Sequence, residues 1–364
     1  MAKKIVLLAA AGLLALGLGV SAGQADDFIL TGVKPGKLVL IDAKAREIVK
    51  VHDIPNSAPG VLTITPSPDG KIAYALVNRW ESISGIDLES GEEVFRADMS
   101  SGDERVKGLV AMDIAPDGSE LAVFQSAVKL GLGEYEVQPT RIAFYDPKAG
   151  KGAKPTRTIP APRQIVLMMY SKDGSKLYAL GRDVFAIDPK DGKILETFKT
   201  QSWDRPNFYP PDIIDVWSQW EQSGIFSTPY YTARSDMDLS DPAAYWTGML
   251  TLDLASGEFK LREVENTEVF YFSTVVNPVR RNEAYGVYNT VAKLDLDAGK
   301  SLGSTELDHS YYDVNVASDG SEIYIGGTMG NIAIYSTETL ERIGNIEMPG
   351  GADMALASLR IIQR

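Results

Sequence analysis

Few residues of this chain could do chemistry unaided. Histidine occurs only at His52 and His309, far apart, and cysteine does not occur at all. A histidine cage for a metal needs three or four ligands, so two histidines cannot build one. Without cysteine the chain supplies no haem thioether, no thiolate zinc or iron–sulfur ligand and no thiol nucleophile. Asp295 and Asp297 have the spacing that opens a calcium loop, but six related turns lack the second aspartate, which marks both as turn residues. No glycine-rich phosphate loop joins a strand to a helix. Carboxylates are abundant, and nothing in their spacing singles out an acid–base pair.

The other candidate functional residues are aromatic or cationic. Phe208, Tyr209, Phe270, Tyr271, Tyr311 and Tyr312 precede or open apolar strands, and Trp80 stands between Arg79 and Glu81 in a loop. Aromatics and arginine dominate desolvated contact patches. Arg79, Trp80, Tyr209, Tyr271, Tyr311 and Tyr312 are therefore the expected partner interface or cavity wall. Propeller aromatics also pack between blades, and for any one of these residues that alternative carries equal weight.

The elements that would position them repeat. An apolar strand followed by Asp recurs at Asp42, Asp87, Asp146, Asp188, Asp253 and Asp295, with Gly four residues on in all but the first, and an eroded copy at Ser336; the intervals are 45, 59, 42, 65, 42 and 41 residues. Aspartate accepts from backbone N–H groups two residues on, and glycine supplies positive φ, so each copy is a hairpin turn. A second turn, such as Ser67-Pro68-Asp69-Gly70 or Ala115-Pro116-Asp117-Gly118, alternates with the first. One unit is then four strands, A to D, best preserved from Leu62 to Met99. Seven such units predict an all-β fold, a seven-bladed β-propeller of four-stranded antiparallel blades. The first unit lacks strand A, and the spare apolar strand in Ala352 to Ile362 is expected to complete it and close the ring.

Three insertions interrupt the period: Lys129 to Glu136, Thr200 to Pro211 and Ser235 to Trp246. Each falls in a B–C loop or a D-to-A link, and these share one face of the disc. Loops elaborated on one face of a repeat scaffold mark where function was added.

Lys3 and Lys4, the apolar run from Ile5 to Val20 and the small residues of Gly23-Gln24-Ala25 predict a secretory signal peptide over residues 1–25, leaving residues 26–364 as one propeller domain. Loss of the two lysines takes the net charge from −13 to −15. Nucleic acid and anionic membranes are poor partners for so acidic a protein.

Three segments carry a resemblance. Asn78-Arg79-Trp80-Glu81-Ser82-Ile83-Ser84-Gly85-Ile86-Asp87, the inserted Leu130-Gly131-Leu132-Gly133-Glu134-Tyr135, and Trp217-Ser218-Gln219-Trp220-Glu221 resemble the β subunit of quinohaemoprotein amine dehydrogenase, over essentially the whole mature chain. The resemblance implies a periplasmic heterotrimeric oxidoreductase that converts a primary amine to aldehyde and ammonia. A small subunit would carry cysteine tryptophylquinone, a dihaem cytochrome c subunit would take the electrons through haem c, and this chain would hold the small subunit and help wall the substrate cavity. No catalytic residue and no metal site transfers to this chain. The alternative from the residues alone is a stand-alone exported propeller, either a lactonase-like hydrolase or a binding scaffold; a hydrolase would bring His, Arg or acidic residues together at the axis.

Overall fold

A computed structural model describes residues 25–213, 217, 219–354 and 357–364. All but one residue of the expected signal peptide lie outside them. Seven antiparallel sheets form a ring, a seven-bladed propeller. Blade two shows how sequence makes a blade. Strands A (Ile64–Pro66), B (Ile72–Val77), C (Ser82–Asp87) and D (Glu93–Asp98) pair in that order. Strands B and C are buried on both faces and run apolar or small, whereas the outermost strand D alternates. The C–D turn forms because the Asp87 carboxylate accepts from the N–H groups of Glu89 and Ser90 at 3.0 and 2.8 Å, and Gly91 takes φ 78°. Asp295 does the same for Asp297 and Ala298, which is its turn role.

The ring closes as expected. Arg360–Gln363 pairs antiparallel with Asp27–Val33, with Leu30 opposite Arg360 and Asp27 opposite Gln363. The C-terminal strand is thus strand A of blade one. Between each pair of neighbouring blades lies an apolar cluster, such as Phe95 with Tyr145 and Val123, or Ile29 with Ile334 and Leu359. Fully burying one such side chain stabilises the fold by about 2 kcal/mol.

Blades three and five depart from the repeat. In blade three, strand B is prolonged (Leu121–Leu130) and its extension pairs with Tyr135–Val137 and Glu104–Lys107, so the first insertion is a projecting β-hairpin. In blade five, strand A spans Asp212–Ile213 among the described residues, and residues 220–224 line the axial chamber. Composition did not signal this, because Trp217 and Trp220 suit an inner strand equally well.

Candidate functional site

The two faces of the disc differ in what they expose. On the face with the B–C loops and D-to-A links, the blade-three hairpin exposes Leu132, Tyr135 and Val137, and the blade-five insertion exposes Leu239 and Tyr245. Trp80, Tyr209, Phe270 and Met329 stand on the same face. The opposite face, with the A–B and C–D turns, exposes one large apolar residue among the described residues, Val279. The remaining exposed ones, such as Val49 and Ile194, sit on outer D strands.

Around the axis on the loop face the rings form one continuous wall. Tyr231 stacks on Phe270 at 4.0 Å between centroids, Phe270 meets Phe272 at 6.5 Å, and Phe272 stacks on Tyr312 at 4.7 Å. Tyr288 lies 4.4 Å from Phe272, and Trp217 lies 6.2 Å from Tyr312. Trp217 is buried, Phe270 is 40% exposed and the others are half-buried. The rings project from blades five to seven, at the starts of A strands and the ends of B strands.

Two expected interface residues require correction. Tyr271 is 1% exposed and Tyr311 0%, so both are already buried within this chain and cannot lose exposure on assembly. The strand starts at Tyr271 with a register shift at Phe272: Phe270 and Phe272 face the mouth, and the ring between them points between blades. It covers Gly286, where a Cβ would stand 2.8 Å from the ring, and its hydroxyl donates to Glu265 at 2.7 Å. Tyr311 stacks on His309 at 3.9 Å, donates to Asp308 at 3.0 Å and accepts from the Asn331 amide at 2.9 Å. Burial, with a carboxylate partner, raises both phenol pKa values far above the usual range. Tyr312 lies in the aromatic wall, and Tyr209, 46% exposed, stands on the same face in the link before blade five. Phe272, Tyr231 and Tyr288 were missed; the alternation around Tyr271 was the signal for Phe272.

Arg79 and Trp80 lie apart from this wall, at a second cavity on the loop face, of about 280 Å3. Lys34 and Lys107 join them there, over a floor of Pro59, Gly60, Val61 and Leu62.

The turn face opens into an axial chamber of about 700 Å3. At its wall Glu221 accepts from the Arg360 guanidinium at 3.1 Å, the Ile361 N–H at 3.0 Å and the Asn315 amide at 3.3 Å. Asp113 is fully buried and accepts from the Ile114 and Tyr170 N–H groups; burial pushes its pKa up to about 6, with those bonds and Arg360 pulling the other way. Asp253 pairs with Arg281 at 2.8 Å. Acidic and arginine residues do converge on this mouth, each with at least one partner, although Glu221 Oε2 is buried without one, and neither histidine is near. His309 uses both ring nitrogens, on the Ser310 carbonyl and the Asn331 side chain, and His52 Nε2 meets the Leu88 carbonyl. Among the described residues there is also no group of three or more potential metal ligands, and no helix is long and apolar enough to cross a membrane.

No protein-family model and no curated protein sequence matches the chain. Among solved structures, Kuenenia stuttgartiensis hydrazine synthase is similar at a TM-score of 0.58 and 14% sequence identity, covering 84% of this chain and 90% of that chain. At that identity the likeness is one of fold: both chains share the propeller architecture.

Proposed function

We propose that this chain is a non-catalytic propeller subunit of a periplasmic quinohaemoprotein amine dehydrogenase, which docks the quinone-bearing small subunit on its loop face and helps wall the amine cavity. The observation that carries the reading is the asymmetry of the disc. Exposed large apolar side chains and a continuous aromatic wall share the loop face, and an apolar surface of that kind marks an interaction site. The segments that resemble the amine dehydrogenase β subunit contribute to it: Trp80, the Leu130–Tyr135 loop and Trp217.

The residues present do not fit either redox group on this chain. Both cysteine tryptophylquinone and haem c need cysteine for their covalent bonds, and the chain has none. The groups belong to the partners, and this chain's part is to bind, to orient and to exclude water at the shared cavity. The test is purification of the native protein from periplasm. Co-purified covalent haem and a small crosslinked subunit are expected; a chain that elutes alone from gentle extraction would overturn the reading. The axial chamber on the turn face favours a second reading, an exported binding scaffold, and that outcome would support it.

A further inference from the structure

The second cavity on the loop face differs in chemistry from the aromatic wall. It is lined by three cations, Lys34, Arg79 and Lys107, and by Trp80, with no carboxylate in the lining of a chain whose net charge is −13. The Arg79 side chain makes no hydrogen bond or ion pair among the described residues. Lys107 Nζ lies 5.7 Å above the Trp80 ring, and Lys34 spends its charge on Asp353 in a solvent-exposed pair. Exposed pairs of that kind are weak and exchange readily.

The loop that presents Arg79 and Trp80 is strained. Asn78, Arg79 and Trp80 have φ of 53, 56 and 66°, the longest left-handed run among the described residues, and none is glycine. Such conformations persist where the surroundings over-determine them, and they cluster at ligand clamps. Here the Trp80 carbonyl accepts from Gly108 N–H at 2.8 Å, which brings Lys107 beside the ring, and the Asn78 amide donates to Ser82 at 3.1 Å. The floor is fixed as well: the Leu62 carbonyl accepts both from the N–H and from the hydroxyl of Ser358, in the segment that closes the ring.

We infer that this cavity is an anchor site for an acidic segment of a protein partner, taking a carboxylate side chain onto Arg79 and Lys107 and an adjacent apolar or aromatic side chain onto Trp80 and the Val61–Leu62 floor. Arg79 and Lys107, neither paired with a carboxylate, supply the charge complementarity. The cavity lies just below the ~300–1,000 Å3 range of small-molecule pockets, which suits one anchoring segment rather than a whole ligand. The inference rests on the reading that the loop face docks a partner, and it adds where and by what chemistry.

The probe is the peptide acetyl-Leu-Asp-Glu-Phe-amide, titrated into the purified mature chain while tryptophan fluorescence is followed, with acetyl-Leu-Asn-Gln-Phe-amide and sodium acetate as controls. A Trp80→Phe variant assigns the signal among the five tryptophans. Saturable quenching by the acidic peptide is expected, weakened by salt. The neutral peptide, and the acidic peptide on an Arg79→Gln/Lys107→Gln chain, should each bind about tenfold more weakly or worse. Both changed residues are exposed, so the variant should keep the parent's thermal midpoint. Equal binding of the neutral peptide, equal binding by the double variant, an equal response to acetate or no saturation at millimolar peptide would each overturn the inference. In the native complex, loss of assembly in Phe270→Ala but not in Arg79→Gln/Lys107→Gln would sink this anchor while leaving the docking face standing.

Discussion

Glu221 and Arg360 meet across the propeller axis, with the carboxylate accepting from the guanidinium at 3.1 Å. One belongs to the axial segment of blade five and the other to the strand that closes blade one, so a single ion pair ties the departure from the repeat to the closure of the ring. Arg360 is 3% exposed, and its second donor serves the Ile64 carbonyl at 2.8 Å.

Glu221→Ala should therefore destabilise strongly. Removing one partner leaves a buried guanidinium uncompensated, at a cost of about 3 kcal/mol or more. Glu221→Gln keeps an acceptor oxygen and should lose less. Chemical denaturation of both variants checks the order; an alanine variant as stable as the parent would show that solvent in the axial chamber already satisfies Arg360.

Stability should rise as pH falls from 7 towards 5. Burial lifts the Asp113 pKa from 3.8 to about 6, and burial raises Asp313 in the same direction. Between the two values the folded chain holds a proton that the unfolded chain releases, so acidification favours the fold. A difference of about two units is worth about 3 kcal/mol. Asp173 acts oppositely: the hydrogen bond from the Ser171 hydroxyl lowers it to about 2, and its contribution is lost only below 3.8. Denaturant midpoints at pH 7, 6 and 5 should climb in the parent and climb less in Asp113→Asn. A flat or falling parent profile would contradict the burial of these carboxylates.

Truncation after Gly350 should abolish soluble expression. It removes Met354, Leu359, Ile361 and Ile362, all buried, at about 2 kcal/mol each. That sum is comparable to the whole stability of an ordinary domain. It also bares the pairing edge of Asp27–Val33. A soluble truncated chain with an unchanged melting temperature would mean that the ring closes some other way.

Blade architecture was legible because its signals are local. The Asp-to-Gly turns and the apolar runs between them place strands B and C of blade one (Phe28 to Val33, Lys37 to Asp42) from sequence alone, and those strands pair as expected. The insertions pointed to the loop face, and the exposed apolar residues stand there. What sequence did not show is which ring of an aromatic pair faces the mouth. Tyr271 and Phe270 differ by one residue and hence by a whole side of the strand, so an uncertain strand start exchanges interface for core. Nor could it show that Glu221 meets Arg360 at the axis, since the two lie 139 residues apart.

The isolated chain should be colourless above the aromatic absorption band and inert towards primary amines, because without cysteine it forms neither the cysteine–tryptophan crosslink of that quinone nor haem thioethers. Its spectrum and an amine-dependent dye-reduction assay, run free of other subunits, test this. Dye reduction by the chain alone would remove the subunit reading.

Assembly should depend on the aromatic wall and not on the turn face. Phe270 is exposed and Tyr312 half-buried, and both belong to one stacked array, so a partner covering the mouth would desolvate them together. As anchors of that contact, Phe270→Ala and Tyr312→Ala should each weaken subunit affinity by about 2 kcal/mol, with little change in the stability of the isolated chain. Tyr271→Ala should do the reverse: it empties a filled interblade site over Gly286 and should cost about 3–5 kcal/mol of folding stability. On the turn face, Asp191 caps Lys193 N–H and Asp319 caps Ser321 N–H, both at 2.9 Å, so Asp191→Ala and Asp319→Ala should lower stability modestly and leave affinity unchanged. Affinity and melting temperature measured on all five variants separate the two roles. Turn-face variants that weaken assembly while the aromatic variants do not would place the partner on the opposite side of the disc, over the axial chamber.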